Sequence, residues 1–235
     1  MDSATHAQRA GASAPGGAAG VATGRPTVFV VDDDVAVRDA LRLFLRAAGL
    51  RVEAFPSAET FLAAYPPSQP GCLVLDVRMP TMSGLELQAL LPARGITLPV
   101  IVVTGHADVR LASQALRAGA VDFIKKPWEP AMMLERIAEA LAQDAAARQT
   151  RARQEASARR LERLSRRELE VMRLLVRGRT VKAIAVELDL SFKTVQAHRS
   201  HILQKLGADS VADLIWLAVD AGLGLPEPLP AENVR

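Results

Sequence analysis

Asp76 closes the run Cys72-Leu-Val-Leu-Asp76, an apolar stretch ended by one carboxylate. Such a run reads as a buried strand that stops where its acid meets solvent. Asp32 and Asp33 follow a second short apolar run, Thr27 to Val31. Thr104 ends a third, Pro99 to Thr104, and Lys126 with Pro127 follows a fourth, Val121 to Lys125. Taken singly, each acid is as well explained as a helix cap, Thr104 as a strand-end hydroxyl and Lys126 as a surface charge. Together they make a chemical set. Carboxylates brought close repel one another and stay deprotonated only beside a cation. Three of them, with water and backbone carbonyls, suit an octahedral Mg²⁺ ion. A hydroxyl and an ammonium beside them suit the equatorial oxygens of a phosphoryl group. The set reads as phosphoryl transfer onto Asp76.

Five strand-then-helix units would place these residues. Val37, Leu41, Phe44 and Leu45 recur at helical spacing after the first strand, and Gly49 stops that helix. Arg51 to Phe55 alternates at period two, and Ser57 is placed as an N-cap for a helix carrying Phe61 and Leu62. Further helices are expected near Gly84 to Leu91, from about Asp108 to Ala118, and from Pro130, which suits a first helical position. Five such units predict an α/β fold, a doubly wound five-stranded parallel sheet with helices on both faces. Chemistry in such sheets collects at the carboxyl ends of the strands.

The chain of 235 residues is long enough for two ordinary domains, and no apolar run approaches the ~20 residues of a membrane span. Residues 1–25, rich in Ala, Gly, Ser and Thr, read as a disordered tail rather than a signal peptide. The single cysteine excludes an intrachain disulfide and a multi-Cys zinc site, and the expected compartment is the cytoplasm. Charge is unevenly spread. Residues 26–142 carry 11 Lys and Arg against 13 Asp and Glu, whereas residues 143–223 carry 15 against 10. The basic excess sits where a nucleic-acid partner would require it.

Residues 143–163 hold Ala, Arg, Gln and Glu without Pro or Gly, so the linker is predicted to continue the fifth helix, its arginines forming a solvated face. From Leu164 to Leu223 four short capped helices make a small all-α bundle. Ser165 and Glu168 form a capping box, Thr180 and Ser191 cap the next two helices, and Ser210 with Asp213 starts the last. Within Thr180 to Leu206, Val195, Ile202 and Leu206 are expected to face inward and Lys193, Gln196, Arg199, Ser200 and Lys205 outward. Cations with amide and hydroxyl groups between them are what a major-groove helix needs. Residues 224–235 are Pro-rich and read as a second disordered tail.

These segments carry a family resemblance. Val-Val-Asp-Asp-Asp, Leu-Asp76-Val-Arg-Met-Pro with Met-Ser-Gly, Val-Thr104-Gly-His-Ala-Asp and Asp-Phe123-Ile-Lys-Lys126-Pro-Trp resemble a flavodoxin-like two-component receiver domain, over residues 26–142. The resemblance implies that Asp76 accepts phosphate from a phosphohistidine of a sensor histidine kinase. It further implies that Asp32, Asp33, Asp76 and the carbonyl of Arg78 hold Mg²⁺, and that Thr104 and Lys126 bind the phosphoryl oxygens. Thr104 would then move inward and Phe123 turn with it, altering the surface around the fourth helix and fifth strand. Trp128 departs from the Phe often found there, and His106 is taken as a solvated rim residue. Residues 164–223 are similar to the LuxR-type helix-turn-helix domain of NarL/FixJ response regulators. By that similarity Gln196, Ala197 and Ser200 read bases while Lys193, Thr194, Arg199, His201 and Lys205 hold phosphates. Val181 departs from the Asn frequent in the family.

The implied protein is a non-enzymatic response regulator, apart from self-phosphorylation and autodephosphorylation at Asp76. It would dimerise on phosphorylation and bind double-stranded promoter DNA, with RNA polymerase a candidate further partner and no membrane association. The apolar last helix, with Val211, Leu214, Ile215, Leu217 and Ala218, offers a dimer face. Two rival classes remain open from the residues alone. One is a Mg²⁺-dependent phosphatase or phosphotransferase with an Asp nucleophile, which lacks its second acid because Val77-Arg78 follows Asp76. The other is a phosphorylation-dependent interaction module whose bundle binds protein.

Overall fold

The computed structural model describes residues 24–66, 68–105 and 109–223. Apart from residues 24 and 25, the two expected tails lie outside the described residues, as does His106. The first half runs β1 (Thr27–Val31), α1 (Val35–Ala47), β2 (Arg51–Phe55), α2 (Ala58–Ala64), β3 (Gly71–Asp76), α3 (Gly84–Leu90), β4 (Val100–Thr104), α4 (Val109–Arg117) and β5 (Asp122–Lys125). All pairings are parallel, in the order β2-β1-β3-β4-β5.

Strand residues alternate between two cores, as a period-two backbone dictates. Phe29, Val31, Leu73, Leu75, Val100 and Val102 pack on one face with Phe61 of α2, Leu87 of α3 and Ala115 of α4. Val28, Val30, Cys72, Val74, Ile101 and Val103 pack on the other with Leu41 and Leu45 of α1. Burial on both faces explains why these strands are continuous apolar runs. Register then fixes the strand ends. Val31 pairs with Leu75, so Asp32 and Asp76 leave the sheet side by side. Thr104 pairs with Lys125, one residue before Lys126.

The helix opened by Pro130, α5 (Pro130–Leu161), is a single element of 32 residues. At the usual 1.5 Å rise it is about 48 Å long. Its first turns bury Met133, Ile137 and Ala140 against the sheet, and its end carries the chain into α6 (Arg166–Val176), α7 (Val181–Glu187), α8 (Phe192–Leu206) and α9 (Val211–Asp220). The Ser165–Glu168 and Ser210–Asp213 capping boxes both form. Thr180 Oγ1 and Ser191 Oγ accept from the third amide of their helices, and Gly207, at φ 56°, ends α8 in the left-handed conformation that favours glycine. Val171, Met172, Leu175, Ile184, Val195, Ile202, Leu206, Leu214 and Leu217 form the core of this bundle.

Two expectations change here. Arg148 and Arg160 of the linker are held against other parts of the chain instead of lining a solvated face, because each finds backbone carbonyls to bind. In α9, Leu214, Leu217 and Ala218 are consumed by the bundle's own core and Val211 packs against it. Ile215 is half-buried, and Trp216, 70% exposed, is the large hydrophobic side chain which that helix leaves in solvent.

Candidate functional site

Asp32 and Asp76 are both buried at the carboxyl end of the sheet. Between them sits Lys126, whose Nζ donates to Asp32 Oδ2 and Asp76 Oδ1, each at 2.6 Å. The remaining oxygens are fixed by backbone: the Arg78 amide donates to Asp76 Oδ2 at 2.7 Å and the Asp34 amide to Asp32 Oδ1 at 3.0 Å. Asp34 itself caps α1, its carboxylate accepting from Ala36 and Val37. Of the three consecutive acids, one faces the site, Asp33 is exposed, and one starts a helix.

Electrostatics follow from this packing. Burial raises the pKa of Asp76, with Lys126 partly offsetting it and the neighbouring Asp32 adding to it. Burial alone would lower the pKa of Lys126, but two carboxylates within hydrogen-bond reach reverse that and raise it. The ammonium is the counter-charge that lets two acids share a desolvated strand edge.

The loop after Asp76 is built to let this happen. The Gly84 amide donates to the Val77 carbonyl at 3.0 Å, folding the loop back onto its strand. A Cβ on Gly84 would lie 2.0 Å from the Asp76 carbonyl oxygen, so only glycine lets α3 begin there. Ser83 and Glu86 then close a capping box on α3. Thr104 is buried at the end of β4, its carbonyl accepting the Lys126 amide at 2.8 Å, and the Lys126–Pro127 peptide is cis. Phe123 is half-buried against the α2–α3–α4 core and Trp128 against the α1–α5 core.

The structure thus gathers Asp32, Asp76 and Lys126, with Thr104 at the adjoining strand end. It does not gather the metal set expected from the sequence: among the described residues no three His, Cys, Asp or Glu side chains are grouped to hold an ion. Lys126 takes the place between the acids, and Asp33 stays outside. The donor chemistry nonetheless suits a hard divalent cation, since oxygens of two buried carboxylates already converge on one positive charge.

On α8, Lys193, Thr194, Gln196, Ala197, Arg199, Ser200, His201 and Lys205 are all exposed, opposite the buried Val195, Ile202 and Leu206. Lys205 is nevertheless engaged. Its Nζ donates to Glu168 Oε2 at 2.7 Å, and this ammonium, with the Ser165 amide, holds the buried Glu168 carboxyl at about 2. Arg167 donates to the Leu188 carbonyl, pinning the turn that precedes α8, and Arg160 donates to the Leu206 carbonyl at its far end. Sequence reasoning missed these three anchors.

Comparison with known proteins agrees with both halves. Residues 28–138 match the response regulator receiver domain, and residues 162–218 match the bacterial regulatory proteins of the luxR family. The transcriptional regulatory protein FixJ of Bradyrhizobium diazoefficiens is 40% identical over 196 residues, covering 83% of this chain and 96% of its own. The response regulator protein TodT of Pseudomonas putida is 42% identical over 188 residues, covering 80% and 83%. Among solved structures, the response regulator StyR superposes with a TM-score of 0.75 at 44% identity, over 83% of this chain and 99% of its own. Full-length FixJ from B. japonicum superposes with a TM-score of 0.53 at 39% identity, over 86% and 99%. The chain belongs to the NarL/FixJ family: it is a DNA-binding transcriptional response regulator of a two-component system.

Proposed function

We propose that Asp76 is the phosphoryl acceptor and α8 the DNA-reading helix of this regulator, within a receiver of residues 26–142, a helical linker of 143–163 and a helix-turn-helix domain of 164–223. The observation that carries the acceptor assignment is the Lys126 ammonium shared by Asp32 and Asp76. The Arg78 amide fixes Asp76 Oδ2, which orients Oδ1 for in-line attack on phosphorus. The bond from phosphorus to the imidazole nitrogen of a sensor kinase breaks as the Asp76 oxygen–phosphorus bond forms, and the imidazole leaves with the bonding pair. Lys126 then neutralises a phosphoryl oxygen, with the Thr104 hydroxyl as the second donor. Asp32, Asp76 and the Arg78 carbonyl would hold Mg²⁺, joined by Asp33 once its exposed side chain turns inward, and the ion when bound would neutralise charge developing on the phosphoryl group. Chemistry stays confined to Asp76, which gains and loses its own phosphate without turnover of another substrate.

Phosphorylation changes the surface around Phe123, α4 and β5 and favours a homodimer that meets two DNA half-sites. Gln196, Ala197 and Ser200 read bases, while Lys193, Thr194, Arg199, His201 and Lys205 lie along the phosphates. The setting is the cytoplasm, where promoter DNA and RNA polymerase are found. Asp76→Asn tests the acceptor: the variant should keep its fold yet lose Mg²⁺-dependent labelling by a small acyl phosphate, and undiminished labelling would refute the site. Gln196→Ala tests the reading helix. It should relax preference at one base position, with about 1–3 kcal/mol of discrimination lost in a binding selection.

A further inference from the structure

The linker helix α5 is fastened at two places with little between them. Asp144, 2% exposed, turns its Oδ2 to the Gly71 amide at 2.9 Å, at the start of β3. Arg148, one turn on, donates from Nε to the same oxygen at 2.7 Å, from one terminal nitrogen to the Ser68 carbonyl at 2.8 Å and from the other to the Gln69 carbonyl at 2.7 Å. Arg151 adds a bond from its guanidinium to Thr97 Oγ1 at 2.7 Å. All of these hold α5 to the amino end of the sheet, opposite the end that carries Asp76. The second fastening begins at Ser157, which is buried, and continues with Arg160 on the Leu206 carbonyl and half-buried Leu161 against the bundle core, where α5 packs against α9.

Only residues 152–156 separate the two. They are Ala, Arg, Gln, Glu and Ala, among the strongest helix formers, with no Gly or Pro to bend them. A short run of such residues, helical at both ends, has no hinge. The Asp144 arrangement also makes poor sense as a stabilising device. Its Oδ1 is buried without a partner among the described residues, and a buried ion pair of that kind gains less than well-packed apolar side chains would. It gains position instead, because the Arg148 fork accepts one arrangement of Asp144, Ser68 and Gln69.

We propose that Asp144, Arg148 and Arg160 are positioning residues for DNA recognition: they make α5 a rigid strut that sets the rotational phase of the reading helix relative to the receiver. Through Arg160, the strut grips α8 at its C-terminal carbonyl, where a cation is also favoured by the helix dipole. Two receivers that pair then present two reading helices at one fixed orientation. The inference rests on α8 as the reading helix, and its test separates the two.

The experiment uses the full chain, spin-labelled at Leu43→Cys on α1 and Val186→Cys on α7, both highly exposed positions. Cys72 needs no replacement, since it is buried and its thiol is pushed up to about 12. The inter-label distance should be narrowly distributed, and should broaden when Arg148→Ala and Arg160→Ala are combined, or when Ala152, Gln154 and Ala156 become glycine. In parallel, two or seven alanines are inserted after Gln154, and binding is measured to duplexes that the phosphorylated parent chain selects from a random-sequence pool. Two residues turn the helix by about 200°, whereas seven return it to within about 20° of its starting phase. The two-residue insertion should weaken binding at least tenfold and the seven-residue insertion markedly less. A broad distance distribution in the parent chain, or equal binding by both insertions, would overturn the strut. If the parent chain selects no duplex, the reading helix fails as an assignment, while the distance measurement still decides the strut.

Discussion

Lys126 ties together two carboxylates that would otherwise repel across the ends of β1 and β3, and its removal should be felt in the titration of Asp76. In the proposed reaction Asp76 attacks as a carboxylate, and burial already raises its pKa above the ordinary 3.8. Lys126→Met removes the group that opposes that rise, so the pKa of Asp76 should climb further. The expected result is that labelling by a small acyl phosphate fails at a higher pH than in the parent chain. The rate at neutral pH should also fall by about 100-fold, the usual loss on deleting one charge-stabilising donor. A pH–rate profile of both proteins checks each point. The metal set is the place where residue types promised more than the structure gathers. Asp32, Asp33 and Asp34 are identical in kind, and nothing in their spacing says that the first faces the site while the third caps α1.

At the scale of single elements, the start of α3 and the two ends of α8 are the points most sensitive to change. Gly84→Ala should destabilise the receiver by about 1–3 kcal/mol, because either the Asp76 carbonyl or the helix start must move to admit the methyl. Denaturant unfolding measures it, and the displaced loop should slow labelling as well. For α8, Glu168 supplies a sign that can be worked out. Its folded pKa of about 2 lies below the ordinary 4.5, so its contribution is complete above pH 4.5 and fades as the pH falls toward 2. Lys205→Met should shrink this acid-sensitive part, the Ser165 amide keeping the rest, and cost about 1–2 kcal/mol, since Glu168 stays buried while half-exposed Lys205 is screened by solvent. Lys193→Ala, by contrast, should leave stability alone and lower the salt slope of DNA binding by about one unit.

The elements themselves were largely readable. Short apolar runs, with one alternating run at Arg51 to Phe55, pointed to all five strands, and Ser57, Pro130, Ser165, Thr180, Ser191 and Ser210 stand where their helices begin. Local chemistry dictates those features. The Arg148 fork, the Lys205–Glu168 pair and the close approach of Gly84 join residues far apart in the chain or depend on loop paths, so local patterns carry no trace of them.

At the scale of the whole molecule, the proposed homodimer needs a surface that a second copy can cover. Most of the apolar residues that made α9 a candidate are spent on the bundle core, which leaves Trp216 as the large side chain able to reach across. Trp216→Glu should leave the fold intact, because the residue is exposed, and should weaken dimers of the phosphorylated protein at least tenfold in sedimentation. An unchanged dissociation constant would move the interface to the receiver alone.

The unbroken course of α5 also bears on how such regulators could be recombined. A receiver from one relative and a reading head from another cannot be joined at any convenient residue. The splice belongs between Arg151 and Ser157, with the residue count preserved or changed by whole turns, and both partners must bring their own fastenings. A chimera cut inside the Asp144–Arg148 segment would inherit half a lock, with a buried acid facing a loop that no longer answers it.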